Sequence, residues 1–224
     1  MKKILLSVAA LAFVLVFASC GKDNNAPVIT LPTDDATPVF DLGDVESALA
    51  GVTANDDVDG DVTANLTVTG LDYAGAATLT YAVVDQANNE GTIGREAIIS
   101  TGRLGGHYNV SSKDLDDPSA DPYAYNVTAA KANNPAQLII SNFYDSDWVL
   151  TLDAVPGAAQ MTNEANPVRV AYGDGQALVY ATATYGPTSN PAQYTLLVVS
   201  YTFKDAVTNE VIGSYEDTFE LQVK

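Results

Sequence analysis

Apolar and polar residues alternate with a period of two along most of this chain, and no long stretch has the spacing of an amphipathic helix. Residues two apart lie on the same face of a strand, so this alternation predicts strands with one buried face. The run 177–185 shows it most clearly, with one face formed by Val179, Ala181, Ala183 and Tyr185 and the other by Leu178, Tyr180, Thr182 and Thr184. The pattern therefore predicts an all-β protein.

Two blocks of predicted strands are separated by the glycine-containing segment 101–106. The first block predicts strands at 28–31, 66–69, 78–84 and 97–99. The second predicts strands at 107–110, 124–130, 137–141, 148–155, 168–172, 177–185, 194–204, 211–215 and 218–223, with a hairpin loop at 205–210. We therefore expect one β-domain at residues 27–101 and a second, antiparallel β-domain at 105–224, which is a sandwich or a barrel.

The first 20 residues have the layout of a bacterial export signal. Lys2 and Lys3 precede an almost uninterrupted apolar run at 4–17, and small residues at 18–19 stand directly before Cys20. Such a segment is too short for a lasting membrane span and fits a removed signal peptide at 1–19. It resembles the lipobox signals of bacterial lipoproteins, which implies acylation of Cys20, although Phe17 departs from the usual aliphatic residue. The alternative is an ordinary secretory signal followed by an unpaired cysteine.

Residues 20–26 form a short polar segment, for which we expect a flexible tether. The segment resembles the acidic tags that direct lipoproteins to the outer face of the outer membrane in some Gram-negative bacteria. The resemblance implies a protein that is anchored in the outer membrane by lipid and faces the extracellular side. The acyl chains would then be its only contact with the membrane.

Acidic residues strongly outnumber basic ones, with 28 Asp and Glu against 10 Lys and Arg and a net charge of −18. Nucleic-acid binding needs a basic surface, so this charge excludes nucleic acid as a partner. Cys20 is the only cysteine, so the folded part holds without disulfides. It must therefore be stabilised by a hydrophobic core.

Two segments of the first block share a turn-and-strand pattern with a known family. Residues 54–63 read ANDDVDGDVT and residues 79–89 read LTYAVVDQANN. Together they resemble the bacterial immunoglobulin-like, cadherin-like repeats of surface proteins, a likeness that covers residues 26–100. Asn88 and Asn89 stand where the family usually has Gly-Asn. The resemblance implies an immunoglobulin-like (Ig-like) β-sandwich at 27–101.

The first of these segments is rich in aspartate, with carboxylates at Asp56, Asp57, Asp59 and Asp61. The segment favours a solvated turn in which aspartate side chains cap backbone amides and Gly60 takes a positive φ. The alternative is a calcium site at Asp57, Asp59 and Asp61, because hard oxygen ligands of this kind suit Ca²⁺. Ca²⁺ is the only cofactor that the sequence suggests.

Side chains for nucleophilic catalysis are scarce. His107 is the only histidine, and its place early in a predicted strand favours a surface or sheet-edge imidazole. Glycoside hydrolysis by paired carboxylates stays open as a minor alternative, because 28 acids always allow some pair. No acid stands out in an apolar setting, so we expect a protein that is not an enzyme.

Aromatic residues give better support for a binding role. Tyr144 and Trp148 flank the acceptor-rich segment 145–147, and Tyr123 and Tyr125 lie two apart, which puts them on one face if that stretch is extended. Aromatic rings beside carboxylates commonly hold sugar rings, so these four residues are the candidate ligand-binding set. The alternative for each ring is packing in the core.

Residues 105–110 read GGHYNV and resemble the opening strand of C-terminal β-domains in surface lipoproteins of glycan-foraging bacteria. This context implies a non-catalytic binding or adhesion module, with polysaccharide as the expected partner. The alternative is a structural subunit of a surface or pilus-like assembly, whose partner is another surface protein.

Overall fold

The computed structural model describes residues 23–33, 36–189 and 193–222. The expected signal peptide at 1–19 and Cys20 lie outside the described residues, as does the start of the tether. The described chain is built almost wholly from β-strands, which confirms the all-β prediction. Among the described residues, no helix is both long and apolar enough to cross a membrane.

The chain before residue 101 forms a sandwich of two sheets. Its elements are β1 (Val28–Thr30), β2 (Val39–Asp41), helix α1 (Val45–Leu49), β3 (Thr53–Asp56), β4 (Gly60–Asp61), β5 (Thr67–Thr69), β6 (Gly75–Val84) and β7 (Glu90–Ser100). One sheet has the order β1-β3-β4 and the other β2-β7-β6-β5, in which β2 runs parallel to β7. Buried side chains such as Ile29, Leu79 and Ile99 belong to one core.

The second part of the chain is one large antiparallel sheet. Its strands are β8 (Gly106–Asp114), β9 (Tyr123–Lys131), β10 (Gln137–Phe143), β11 (Trp148–Ala154), β12 (Gln160–Thr162), β13 (Val168–Tyr172), β14 (Gly175–Pro187), β15 (Tyr194–Asp205) and β16 (Val211–Leu221). A single turn of 3₁₀-helix at Gly102–Leu104 leads into it from the sandwich. In the part of the chain that is described, no strand of the sandwich pairs with a strand of this sheet.

The sheet closes on itself, which answers the choice between sandwich and barrel. Strand order runs β12-β11-β10-β9-β8-β16-β15-β14, and β12 also pairs with β14 through the partners Gln160↔Thr184, Met161↔Ala183 and Thr162↔Thr182. Eight strands thus form a ring. Strand β13 pairs with the part of β14 that β12 does not reach. A barrel of this size has an interior just wide enough for side chains to fill.

Inward-facing apolar side chains fill the barrel. Buried residues recur at every second position of most strands, as the alternation in the sequence predicted. Those that are almost completely buried include Tyr108, Val110, Leu138, Ile140, Leu150, Leu152, Val179, Leu196, Val199 and Phe203. Because almost every strand of the ring is paired on both sides, the barrel offers few free strand edges to which another chain could pair.

A buried asparagine completes the closure between β12 and β13. Asn163 is 1% exposed and lies directly after β12, where the two short strands leave a gap along β14. Its side-chain Nδ2 donates to the carbonyl of Val179 (2.9 Å), and its Oδ1 accepts from the amide of Ala181 (2.7 Å). The amide group of this side chain therefore replaces the backbone hydrogen bonds that a continuous strand would make.

The first prediction concerns this closure. Replacing Asn163 by Ala (N163A) removes the acceptor of the buried Ala181 amide and a donor to the Val179 carbonyl, which we expect to lower the free energy of unfolding by about 1–3 kcal/mol. Urea unfolding followed by circular dichroism measures this change. The neighbouring exposed Glu164→Ala is the control, with an expected effect within about 0.5 kcal/mol. An equal loss in both variants would contradict the role given to Asn163.

The end of the chain departs from the sequence prediction. Separate strands were predicted at 211–215 and 218–223, which is wrong, because β16 runs unbroken from Val211 to Leu221. The polar pair at 216–217 interrupts the apolar pattern, but Asp217 points into the barrel and finds hydrogen-bond donors there. Residue 223 lies outside the described residues. Strands β2, β3, β4 and β12 were not predicted, because two to four residues carry too little alternation to be recognised.

The sandwich packs against one end of the barrel through buried hydrogen bonds. The hydroxyl of Tyr185 in β14 accepts from the amide of Ala74 (2.8 Å) and donates to the carbonyl of Ala158 (3.1 Å). The amide of Thr101 donates to the carbonyl of Pro135 (2.9 Å). Tyr185 and Thr101 are both buried, so these bonds are shielded from water and fix the sandwich on the barrel.

A second prediction follows for this contact. Tyr185→Phe (Y185F) removes the hydroxyl and leaves the buried Ala74 amide without an acceptor, so we expect a loss of about 1–3 kcal/mol in the free energy of unfolding. The exposed tyrosine in the same region supplies the control, Tyr73→Phe, which should change stability little. Thermal unfolding by calorimetry measures both variants. A Y185F protein as stable as the Y73F protein would show that the contact contributes nothing.

Candidate functional site

The barrel end that faces away from the sandwich carries an open cavity. Because neighbouring strands are antiparallel, the loops 115–122, 144–147, 173–174 and 206–210 meet at this end, whereas the loops 132–136 and 155–159 lie at the sandwich end. The cavity has a volume of about 450 Å³. Three carboxylates and three phenol rings line it, contributed by Asp114, Asp121, Asp145, Tyr123, Tyr144 and Tyr215.

Tyr123 presents an aromatic ring at the rim of this cavity. It begins β9 and is 55% exposed. One face of its ring stacks on buried Tyr125, with centroids 6.1 Å apart and an interplanar angle of 21°. Its hydroxyl donates to the carboxylate of Asp145, a bond that raises the pKa of the Tyr123 phenol. Tyr125 thus supports one face of the ring and Asp145 fixes its hydroxyl group, while the other face is exposed to solvent.

Tyr144 is held in place by an unusual backbone and by other rings. Its φ of 58° lies in the left-handed region, which bulky residues seldom adopt. The ring stacks on Trp148, with centroids 5.7 Å apart and planes 4° from parallel, and makes edge contacts with Phe203 and Tyr215. This packing compensates the backbone strain, and it sets the edge of Tyr144 against the cavity.

Tyr144, Tyr172 and Tyr215 form a group of phenols at the inner side of this end, where the rings of Tyr144 and Tyr215 are in edge contact. Burial raises the pKa of all three phenols, that of Tyr215 to about 12. All three therefore stay protonated at neutral pH and can each donate one hydrogen bond.

The loop 115–122 is ordered by its own aspartates. Asp114 Oδ1 accepts from the amides of Asp116 (2.8 Å) and Asp117 (3.2 Å). Asp116 in turn accepts from the amide of Ser214 on β16 (2.8 Å), which ties the loop to the barrel. Hydrogen bonds from Ser119 hold the pKa of Asp117 below its usual range. This wall of the cavity is therefore formed before any ligand arrives.

A buried carboxyl group lies beneath the cavity. Asp217 is 0% exposed, and its carboxylate accepts from the hydroxyls of Tyr125 and Tyr201. The Tyr201 hydroxyl also bonds with that of Ser112 (3.3 Å), which lines the cavity. Burial raises the pKa of Asp217, and the three hydroxyl groups oppose that rise in part. Burial likewise raises the pKa values of Tyr125 and Tyr201.

The third prediction is a pH dependence caused by Asp217. Its folded-state pKa lies above the unfolded value, so the folded protein binds this proton more tightly. The contribution of Asp217 to stability is therefore greatest at low pH and declines as pH rises from the unfolded pKa through the folded one, by about 1.4 kcal/mol per unit of pKa difference. Asp217→Asn (D217N) removes this component. Urea unfolding at several pH values gives the free energy of unfolding of both proteins. The value for wild type minus the value for D217N should fall above about pH 4 and then become constant. A flat difference would contradict the assignment.

A second, smaller cavity of about 350 Å³ lies along the wall of the barrel over β14 and β15. Its aromatic residue facing outwards is Tyr180, and the ammonium group of Lys204 sits 4.5 Å from the centre of that ring. Glu164 is the one carboxylate that lines this groove, whereas three carboxylates line the end cavity, so the groove offers fewer charged acceptors to a ligand. The end cavity is therefore the stronger candidate site.

Two of the four aromatic residues that the sequence singled out line the end cavity. Tyr123 and Tyr144 contact it directly, whereas Tyr125 and Trp148 lie behind them and support their rings. Asp145, which follows Tyr144 in the chain, fixes Tyr123 from a different strand pair. Tyr215 was missed, because nothing in a strand pattern shows that β16 lies beside the 144–147 hairpin.

The aspartate turn of the sandwich has the geometry of a self-capping turn. Asp56 Oδ1 accepts from the amides of Val58 and Asp59 (both 2.9 Å), and Gly60 has a φ of 74°. These bonds hold the pKa of Asp56 below its usual range. The carboxylates of the three candidate calcium ligands accept hydrogen bonds from other residues. Asp57 accepts from the side chain of Asn25, Asp59 from the amide of Gln86 and Asp61 from the amide of Thr63. Among the described residues, the acids that lie close enough together to hold a metal ion are Asp23, Asp56 and Asp85, which do not include the three candidate ligands from the sequence.

His107 lies on the outer wall of the barrel. Its side chain is exposed, and Nδ1 lies 3.0 Å from the hydroxyl oxygen of Thr128 on the neighbouring strand. This is the sheet-surface position that the sequence favoured, remote from the residues that line the end cavity.

Comparison with known proteins gives distant structural likeness alone. No protein-family model and no curated protein matches the chain. A lipoprotein from Bacteroides thetaiotaomicron is similar with a TM-score of 0.28 and 17% sequence identity, over 86% of this chain and 99% of that chain. A second similar structure is that of CBM51-2 in complex with GlcNAc and INT domains from Clostridium perfringens ZmpB. Its TM-score is 0.25 and its sequence identity is 14%, over 87% of this chain and 44% of that chain. At these values neither structure assigns a function to this chain.

Proposed function

We propose that this chain is a lipid-anchored surface protein whose barrel binds neutral glycans at its open end and catalyses no reaction. The observation that carries the proposal is the placement of Tyr123. Its ring is fixed by Tyr125 and Asp145, and the free face lies beside a cavity rich in acceptors. A sugar ring binds best to such an apolar platform surrounded by a few oriented polar groups.

The carboxylates of the cavity favour one class of glycan. Asp114, Asp121 and Asp145 can accept hydrogen bonds from sugar hydroxyls, and bonds to a charged acceptor are stronger than neutral ones. The same charges repel uronic acids and sulfate esters, as does the net charge of −18 on the whole chain. Neutral polysaccharides are therefore the expected ligands.

Two groups that could act in acid–base catalysis, Asp217 and His107, lie away from the surface of the cavity. Burial raises the pKa of Asp217, as a general acid requires, but this side chain is completely buried beneath the cavity. His107 is on the outer wall and pairs with Thr128. Neither group is placed to touch a ligand in the end cavity.

The proposed anchoring fits the direction in which the cavity points. The tether joins the sandwich at Asp23, the barrel packs on the sandwich through Tyr185, and the cavity opens at the far end of the barrel. A lipid on Cys20 would place the sandwich between the membrane and the barrel. The binding end would then face away from the cell surface.

The fourth prediction tests Tyr123. We expect the full-length chain in detergent to be retarded by a neutral polysaccharide in affinity gels, and Tyr123→Ala (Y123A) to bind about tenfold more weakly because the platform is lost. Tyr123→Phe (Y123F) keeps the ring and should retain most of the affinity. Tyr73→Ala removes an exposed tyrosine of the sandwich and should bind like wild type.

Two outcomes would overturn the proposal. One is no retardation of the wild-type chain by any gel in a panel of neutral and acidic polysaccharides. The other is equal binding by the wild-type and Y123A proteins. Co-purification of a stoichiometric protein partner in mild detergent, together with blank gels, would favour a structural subunit of a surface assembly instead.

A further inference from the structure

Three aspartates from distant parts of the chain converge at the end of the sandwich that faces away from the barrel. Asp23 precedes β1, Asp56 ends β3 and Asp85 follows β6. Each offers a carboxylate oxygen, and these oxygens all lie within 4.8 Å of one another. The opposite end of β6 begins at Gly75, which packs beside Ala154 and Pro156 of the barrel. The ten residues of β6 place the two ends about 30 Å apart.

The oxygens of this group are buried and incompletely satisfied. Asp56 is 3% exposed, and although its Oδ1 accepts two backbone amides, its Oδ2 is buried with no hydrogen-bond partner among the described residues. Oδ2 of Asp23 is likewise buried without a partner, whereas its Oδ1 accepts from the amide of Asn25. A buried carboxylate oxygen without a donor costs free energy, and three carboxylates this close repel one another.

We propose that Asp23, Asp56 and Asp85 bind one Ca²⁺ ion. A divalent cation satisfies the unpaired oxygens and offsets the repulsion between the three charges. Ca²⁺ takes six to eight oxygen ligands, including several carboxylates, in flexible geometry. Mg²⁺ is less suited, because it holds several waters and is usually bound by one or two carboxylates.

The surrounding hydrogen bonds fix two of the three ligands in advance. Asp85 is 6% exposed, and its two oxygens accept from the backbone amide and from the side-chain Nδ2 of Asn89 (both 2.7 Å). Asp56 is oriented by the amides of its own turn. Each of these carboxylates still has lone pairs for a cation, because a carboxylate can accept about four hydrogen bonds.

The third ligand connects the ion to the proposed tether. Asp23 lies three positions after Cys20, and its carbonyl accepts a hydrogen bond from Nδ2 of Asn89 (3.4 Å). Pro27 passes so close to β7 that a Cβ on Gly91 would lie 2.1 Å from the Pro27 carbonyl oxygen, so only glycine fits there. Calcium would therefore fasten residues 23–27 to the sandwich and stiffen the junction between the lipid anchor and the folded body.

The fifth prediction is calcium binding by the full-length chain after removal of metal with a chelator. Isothermal titration with Ca²⁺ should show one ion per chain with a dissociation constant of about 10⁻⁴–10⁻³ M or tighter, as in extracellular modules. Asp56→Asn (D56N) keeps an acceptor for Val58 and Asp59 but lacks the charge, so we expect affinity to fall about tenfold or more. Asp85→Asn should act in the same direction. Calcium should also slow tryptic cleavage after Lys22, because it holds the next residue.

The matched control is the double variant D57N/D61N, which removes two nearby acids outside the proposed ligand set. It should bind Ca²⁺ like wild type, and thermal unfolding in chelator should show that all variants are folded. No heat at millimolar Ca²⁺ with the wild-type chain overturns the proposal. Loss of binding in D57N/D61N with binding retained in D56N overturns it in favour of the turn residues. These results are independent of glycan binding by Tyr123.

Discussion

The pairing of β12 with β14 is the constraint on which the rest of the barrel depends. It joins the two ends of one long sheet, and Asn163 carries the hydrogen bonding across the place where β12 ends and β13 has not begun. A closed ring of eight strands removes the open edges and creates an interior that side chains can fill. It also brings the hairpins at 144–147 and 206–210 to the same rim, although about 60 residues separate them in the chain.

Tyrosines link the interior of the barrel to its open end. Tyr125 and Tyr201 supply the hydroxyl groups that make a buried Asp217 tolerable, and Tyr125 also supports the ring of Tyr123. The same side-chain type therefore satisfies a buried charge below and presents an aromatic face above. Because these rings contact one another, the geometry of the rim is fixed by the packing of the core.

The two ends of the molecule carry acidic groups of different kinds. At the barrel end, the carboxylates of the cavity are directed at solvent and suit hydrogen bonds to an uncharged ligand. At the sandwich end, Asp23, Asp56 and Asp85 are close together and partly unsatisfied, which suits a cation. The sandwich and the barrel lie between these two groups, so the proposed glycan site and the proposed calcium site beside the anchor are at opposite ends of the molecule.

The sequence by itself determined the longer strands, because alternation records which side of a strand is buried. Strand β13 matches its predicted bounds, and β14 and β15 contain theirs. It also identified Tyr123, which lies two positions before Tyr125, and Tyr144, which directly precedes the acceptor-rich segment 145–147. It did not determine barrel closure, the continuity of β16 through Asp217, or the meeting of Asp23, Asp56 and Asp85. Those features depend on contacts between residues far apart in the chain, such as Asp217 with Tyr125. A local pattern carries no information about such distant partners, so only the tertiary structure decided them.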